Sequence, residues 1–273
     1  VIGDKATDAV GRGLSKLGMP MWSSAFPLAY YPHAIKTQPS ELKVVYFPSC
    51  INQTMGKSKG QSTPLIDKMV ALIEKAGYEV IFPKNMKNLC CGTIWESKGM
   101  PDIADRKAKE LDDALFEASD GGRYPVLCDQ SPCLHRMRNT IKRVKLYEPV
   151  EFIYEYLAPH LRFVQTDEPV ALHFTCSTRH MKLNDMFVAL AGMCTTKVVV
   201  PEEVGCCGFA GDKGFTDPEV NRYALRKLRG QLEAAGVKRG FSNSRTCEIG
   251  LTVNGGVPYQ SIAYLVDECT IKK

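Results

Sequence analysis

The feature that most constrains this chain is a pair of Cys-Cys-Gly tripeptides, 90–92 and 206–208. Each tripeptide lies between an upstream and a downstream cysteine, and these flanking pairs are Cys50 with Cys133 and Cys176 with Cys247. Thiolates are soft ligands that select iron–sulfur clusters, zinc or copper(I) over harder cations. Adjacent cysteines bridge each other with difficulty, but both can reach one metal or cluster. The sequence therefore predicts two sites, each built from four thiols.

The similarity between the two halves extends beyond cysteine. The segment 44–50 aligns with 170–176, and Lys98-Gly99 after the first tripeptide aligns with Lys213-Gly214 after the second. A period of about 115 residues is far too long for a solenoid repeat and is typical of a duplicated domain. The predicted organisation is an N-terminal extension and linker over 1–41, a first domain over 42–165 and a second over 166–273.

Composition excludes several classes of function. The chain of 273 residues has a net charge of only +5 and no dense Lys/Arg block, which argues against nucleic-acid binding. No apolar stretch is long enough to span a membrane. Eleven cysteines, an odd number without a visible secretory signal, favour metal or catalytic roles over a disulfide framework. Residues 1–40 show little periodicity, and 25–40 is predicted to be a linker wrapped onto the first domain.

Strand and helix patterns alternate in both halves, which predicts α/β domains with parallel sheets. In the first half we expect strands over 44–47, 78–82 and 125–128 and helices over 64–77 and 102–117. In the second half we expect strands over 170–174, 197–200 and 240–242 and helices over 184–190 and 218–235.

The cysteines follow these strands. In open parallel sheets, ligands bind beyond the carboxyl ends of the strands. We therefore expect each set of four thiols to converge on one rim, with sulfur atoms within about 7 Å of one another. We also expect the two sites to face each other across a pseudo-twofold axis.

The segments 46–56, 88–92, 131–133 and 205–211 resemble the cysteine-rich CCG domain of redox enzymes. That family includes the cysteine-rich component of heterodisulfide reductase, the iron–sulfur component of glycolate oxidase and lactate-utilisation proteins. The likeness covers about residues 42–269. It is strongest to the C-terminal portion of large FAD and iron–sulfur D-lactate dehydrogenase-like proteins.

The resemblance implies two duplicated Rossmann-like halves and an oxidoreductase component that transfers electrons. It implies one or two iron–sulfur clusters of the 4Fe-4S type, with FAD on a separate domain. The implied partners are a flavin-containing dehydrogenase domain or subunit and an acceptor such as a quinone or cytochrome. The implied location is cytoplasmic, with a peripheral position at the inner membrane face also allowed. The implied ligands are Cys50, Cys90, Cys91, Cys133, Cys176, Cys206, Cys207 and Cys247.

The chain departs from the heterodisulfide reductase pattern, in which the motif ends in C-x-x-C. Here Cys128 precedes Cys133, and Ser242 stands opposite Cys128 in the second half. Cys128 is either a packing residue of its strand or a fifth metal ligand. Cys194 and Cys269 have no counterpart in the other half and are interpreted as packing residues.

Alternatives remain open at this point. Four thiols also bind zinc well, which would make this a structural or docking domain. Buried free thiols, or a thiol/disulfide site like that of heterodisulfide reductase, are further possibilities. His173 aligns with Phe47 and is expected in the core, whereas His180 is expected in a loop or at the surface. Lys98 and Lys213 either offset cluster charge or are plain surface lysines.

Overall fold

Each half of the chain contains a four-stranded sheet in which every neighbouring pair is parallel. The computed structural model describes residues 3–20, 22–28, 30, 35, 37–58, 61 and 63–273. The first sheet is formed by β1 (Lys43–Phe47), β2 (Glu79–Ile81), β3 (Val126–Cys128) and β4 (Leu146–Tyr147). The second is formed by β6 (Val170–Leu172), β7 (Val198–Val199), β8 (Arg239–Phe241) and β9 (Tyr259–Gln260). The orders β2-β1-β3-β4 and β7-β6-β8-β9 are equivalent, which confirms a duplicated α/β fold.

A further pair of strands joins the end of the first half to the end of the second. These are β5 (Leu161–Phe163) and β10 (Thr270–Lys272), which pair in antiparallel fashion.

Helices connect the strands and cover both faces of each sheet. Before β4 they are α1 (Asp4–Ser15), α2 (Cys50–Thr54), α3 (Leu65–Lys75), α4 (Thr93–Ser97), α5 (Pro101–Ala118) and α6 (Ser131–Thr140). After it they are α7 (Pro149–Phe152), α8 (Cys176–His180), α9 (Asn184–Cys194), α10 (Pro218–Ala224), α11 (Leu228–Ala234), α12 (Arg245–Gly255) and α13 (Ile262–Glu268). A π-helical turn over Ile153–Leu157 extends α7. The sequence patterns did not predict α6 and α12, the helices that carry Cys133 and Cys247.

The side chains of β1 show why the core has layers. Val44 and Tyr46 point into a central apolar cluster that also contains residues of the second sheet. Val45 and Phe47 point into an outer cluster formed with α5 and α6. This alternation is the two-residue period of a strand that is buried on both faces. The second half has its own outer cluster, formed with α11 and α12.

The two halves interlock through their helices. Helix α13 of the second half packs on α3 of the first, and α7 of the first half packs on α9 of the second. Lys68 Nζ lies 2.6 Å from Asp267 Oδ2, and the Tyr264 hydroxyl donates to the carbonyl of Thr63 at 2.8 Å. Since α3 and α9 occupy equivalent places, as do α13 and α7, these contacts form a reciprocal pair, as a pseudo-twofold axis requires.

The predicted N-terminal extension contains a helix that the sequence pattern did not indicate. Residues 4–15 form α1, in which apolar Ala6, Val10 and Leu14 recur every fourth residue. Two glycines inside this helix lower its intrinsic propensity and obscure the pattern. The predicted linker over 25–40 falls partly outside the described residues. Phe26, which lies in the described part of this segment, packs against Phe215 of the second half, with 5.2 Å between the ring centroids. The segment therefore does not contact the first half alone.

The predicted helix over 218–235 is also corrected, because it is two helices, α10 and α11, separated by a turn over 225–227. No proline marks this break. Leu225, the first residue of the turn, and Leu228, the first residue of α11, are both buried in the outer cluster of the second half.

Candidate metal centre

Short strand-to-helix connections place the flanking cysteines of the first set. Cys50 is the first residue of α2, and the Ser49 hydroxyl caps that helix by accepting from the backbone N–H of Asn52 at 3.4 Å. Cys133 lies in the first turn of α6. Because β1 and β3 are parallel neighbours, both cysteines emerge at the same rim of the sheet.

The glycine of each tripeptide allows the loop to approach a helix closely. Gly92 has φ +88°, and a Cβ there would lie 2.4 Å from the Ala104 carbonyl oxygen of α5. Gly208 has φ +69°, and a Cβ there would lie 2.8 Å from the Val220 carbonyl oxygen of α10. The left-handed backbone and the lack of space both require glycine. The same turn directs the backbone N–H of each glycine at the sulfur of the first cysteine of its pair. The distance from the glycine nitrogen to that Sγ is 3.3 Å in both loops.

The thiols of the first set contact one another in succession. Cys50 contacts Cys90, Cys90 contacts Cys91, and Cys91 contacts Cys133. Cys50 is exposed, Cys90 is half-buried, and the other two are buried, so the set runs from the surface into the core. The hydrogen bond from Cys50 lowers the pKa of Cys90 far below its usual value. Cys90 is therefore the thiol of this set that most readily carries a negative charge.

The second set repeats this arrangement. The sulfurs of Cys176 and Cys206 lie 3.7 Å apart, and those of Cys207 and Cys247 lie 3.1 Å apart. The backbone N–H of Phe209 donates to Cys207 Sγ at 3.4 Å. Cys206, the counterpart of Cys90, has its pKa lowered mainly by the hydrogen bond from Cys176. Each half thus brings its four cysteines together; their role as metal ligands stays a prediction.

The donor chemistry suits a metal or cluster, although the described side chains do not form a ligand cage. Within the described part of the chain, no group of three His, Cys, Asp or Glu side chains is arranged so that it could hold a metal ion. Tetrahedral zinc bound by thiolates needs sulfurs about 3.8 Å apart. The 3.7 Å between Cys176 and Cys206 matches this spacing, whereas the 3.1 Å between Cys207 and Cys247 has to widen. All-sulfur donors and N–H groups directed at sulfur fit an iron–sulfur cluster as well.

Cys128 has a different environment. It ends β3, pairs in register with Phe47, and is fully buried in the outer apolar cluster. Its Sγ lies 3.9 Å from the Gln130 carbonyl oxygen, and burial raises the pKa of the thiol. This position favours packing over ligation.

The equivalent positions of the second half are polar. His173 Nδ1 lies 3.4 Å from Ser242 Oγ, and His173 is buried as its alignment with Phe47 predicts. Burial, assisted by Arg179, lowers the pKa of His173 to about 4, so the ring is neutral near pH 7. His180, the last residue of α8, is exposed as expected.

Reciprocal polar contacts join the two cysteine-bearing rims. Arg245, two residues before Cys247, donates from Nε to Asn52 Oδ1 at 3.0 Å and pairs with buried Glu248 at 2.6 Å. At the equivalent place on the other side, the Thr178 hydroxyl donates to Ser131 Oγ at 3.4 Å. Sequence reasoning missed Arg245; a charged residue within a buried cysteine motif was the available signal.

The segments that follow the two tripeptides, and helices α6 and α8, also meet across the interface. Lys98 Nζ lies 2.7 Å from Asp212 Oδ2 in the second half, and the rings of His135 and His180 are 5.6 Å apart. Lys98 therefore has an ion-pair partner within the chain, whereas Lys213 is exposed. The two thiol sets lie beside one shared interface.

Comparison with known proteins gives a family and a fold. The family model described as a cysteine-rich domain, CCG, matches residues 44–138 and 170–252, more than half of the chain. No curated protein matches the sequence significantly. A hypothetical protein from Helicobacter pylori shares 11% identity at a TM-score of 0.57, over 94% of this chain and 53% of that one. At this identity the likeness shows the fold alone.

Two further solved structures have weaker similarity. An aspartate racemase homologue from Pyrococcus horikoshii OT3 has 15% identity and a TM-score of 0.32, over 83% of this chain and 96% of that one. Glutamate racemase from Aquifex pyrophilus has 10% identity and a TM-score of 0.33, over 83% of this chain and 82% of that one. These scores are too low to bear on activity. Separately, no helix among the described residues has both the length and the apolar character needed to cross a membrane.

Proposed function

Because this chain belongs to the cysteine-rich CCG domain family, we propose that its two thiol sets bind iron–sulfur clusters of the 4Fe-4S type and transfer electrons. The observation that carries the proposal is the repeated convergence of four cysteines, with backbone N–H groups directed at the first sulfur of each tripeptide. Thiolate ligation with N–H donors to sulfur is typical of iron–sulfur sites, where these hydrogen bonds help to set the reduction potential.

The protein residues have distinct roles in this proposal. When bound, the cluster supplies one-electron chemistry. Cys91 and Cys207 would hold it from the buried side, and exposed Cys50 and Cys176 would hold it from the surface side. The glycine N–H groups stabilise negative charge on sulfur. The buried cysteines would keep water from the inner side, and the exposed cysteines would leave an outer side at which a partner protein could exchange electrons.

We propose as partners a flavin-containing D-2-hydroxy-acid dehydrogenase domain or subunit, and a quinone or cytochrome acceptor. The substrate chemistry would belong to the flavin portion. The CCG family match and the surface position of one edge of each set support this assignment.

The decisive experiment is anaerobic purification followed by iron, zinc and acid-labile sulfide assays and electron paramagnetic resonance. We expect iron and sulfide in about equal amounts, with a reducible signal. The double variant Cys206→Ser/Cys207→Ser should lose the second cluster, and Cys128→Ser is the matched control that should keep both. Stoichiometric zinc without sulfide would contradict the proposal.

A second candidate is a zinc-stabilised docking domain. The 3.7 Å separation of Cys176 and Cys206 favours it, because that is the spacing of two thiolates on one zinc ion. A chelator would then unfold the chain, since binding a structural metal contributes free energy to folding. Such a protein would show no signal in a redox titration.

A further inference from the structure

Two cysteines outside both thiol sets lie together at the end of the second sheet that is opposite its cysteine-bearing rim. Cys194 is the last residue of α9, and Cys269 directly follows α13. Both helices begin near the cysteine-bearing rim and run away from it, and both thiols are buried, with relative exposures of 0% and 4%. Because they lie at the end of the sheet away from that rim, neither is available as a fifth ligand of the second set.

One backbone segment holds the two cysteines side by side. The N–H of Val164 donates to the carbonyl of Cys269 at 2.8 Å, and the N–H of Thr166 donates to the carbonyl of Cys194 at 3.0 Å. Residues two apart on an extended segment thus each bind one of the cysteines. The two thiols are themselves in hydrogen-bonding contact.

A cationic group lies beside this pair. Arg239 forms ion pairs through its two Nη atoms, with Glu168 at 3.0 Å and with Glu268. Its Nε is buried and has no hydrogen-bond partner among the described residues. The hydrogen bond from Cys194, and then the charge of Arg239, lower the pKa of Cys269, whereas the pKa of Cys194 is raised. Cys269 is therefore the better nucleophile of the pair.

We propose that Cys194 and Cys269 form a redox-active dithiol, separate from the metal centres, that closes to an intramolecular disulfide by exchange with a low-molecular-mass disulfide. Because both thiols are buried, the exchange takes place through local opening of the structure around them. The Cys269 thiolate then attacks one sulfur of that disulfide and releases the first small thiolate. Cys194 then gives up its proton and attacks Cys269 Sγ in the mixed disulfide, which releases the second. Two protein thiols are oxidised and one small disulfide is reduced to two thiols. This inference does not depend on what the metal centres bind.

The test is equilibration of the full chain with graded ratios of reduced to oxidised glutathione, followed by alkylation and peptide mapping by mass spectrometry. Trypsin alone leaves Cys247 and Cys269 on one peptide, so glutamyl endopeptidase is added to cleave after Glu248 and Glu268. We expect a Cys194–Cys269 linked peptide that appears in one two-electron transition. The proposal is overturned if the two cysteines are alkylated separately at every ratio, or if either pairs mainly with another cysteine.

Variants separate chemistry from structure. Cys194→Ser should stop the reaction at a mixed disulfide on Cys269, and Cys269→Ser should leave Cys194 unreacted under the same conditions. Arg239→Gln should slow disulfide formation about three- to fourfold if it raises the Cys269 pKa by one, because the tenfold smaller thiolate fraction is partly offset by a more nucleophilic thiolate. Glu168→Gln removes one ion pair of Arg239 but keeps the guanidinium, and should not slow the reaction. Equal slowing by Arg239→Gln and Glu168→Gln would contradict the role of Arg239. Whether the disulfide forms at all is decided by peptide mapping of the chain without substitutions.

Discussion

Replacing Gly208 by alanine tests whether the tripeptide glycine is required by close packing or only by backbone conformation. Gly208 (φ +69°) and Gly211 (φ +73°) are both left-handed glycines of one loop. A Cβ on Gly208 would meet Ala224 Cβ at 2.7 Å and the Val220 carbonyl oxygen at 2.8 Å, whereas a Cβ on Gly211 would meet no atom within 4 Å. Gly211→Ala is therefore the matched control.

The expected magnitudes follow from these contacts. A left-handed backbone costs an L-residue about 1–2 kcal/mol, and both variants incur this cost. Only Gly208→Ala also overlaps with α10, whose backbone cannot retreat as a flexible side chain would, and such overpacking costs about 1–3 kcal/mol. We expect the free energy of unfolding to fall by about 1–2 kcal/mol in Gly211→Ala and by about 2–5 kcal/mol in Gly208→Ala.

These changes in the free energy of unfolding are measured by urea unfolding of the metal-free chain, monitored by circular dichroism. In a separate measurement, the bound metal is quantified in each variant. We expect Gly208→Ala to lose metal from the second set, because α10 must move away from the loop. Equal destabilisation by the two variants, with the metal retained in both, would show that packing against α10 is not the reason for the glycine.

Two further predictions concern buried charge. Arg245→Met leaves Glu248 buried without its partner and should lower the free energy of unfolding in urea by about 3–5 kcal/mol. Lys98→Ala breaks the exposed ion pair with Asp212 and should lower it by less than about 1 kcal/mol. Similar losses in the two variants would contradict this contrast. Glu148 caps α7, accepts hydrogen bonds from Ser131 and Asn243, and is fully buried. Burial raises its pKa from 4.5 to about 7, so the folded chain holds a proton that the unfolded chain releases, and stability falls as pH rises from 4.5 to 7. Glu148→Gln should flatten this dependence by up to about 3 kcal/mol, and unchanged slopes in unfolding curves across this range would refute it.

Local patterns predicted much of the fold, and their failures have physical causes. The apolar runs of β1 and β6 and the apolar face of α3 were sufficient to identify parallel sheets and their helices. Helix α6 was missed because few of its residues are apolar, and α12 was missed because its consecutive buried residues 247–251 form no single apolar face. These two helices carry the last cysteine of each set. The convergence of the cysteines followed from their positions directly after parallel strands, whose carboxyl ends share one rim of the sheet.

Other properties depended on distant parts of the chain. The Arg245–Asn52 contact joins residues in different halves, which no local pattern reveals. Cys194 and Cys269 were correctly expected to be buried. Their contact with each other depends on the path of the segment around Val164 and Thr166 and could not be read from spacing.

The exchange of helices between the halves makes the duplicated chain a covalent counterpart of a closed dimer. A fragment ending at residue 165 would expose the apolar face of α3 that α13 now covers, and a fragment beginning at 166 would expose the surface of α9 that α7 covers. The repeats are thus similar in sequence without being separable in folding. The relative position of the two thiol sets is consequently fixed by the polypeptide and does not depend on protein concentration.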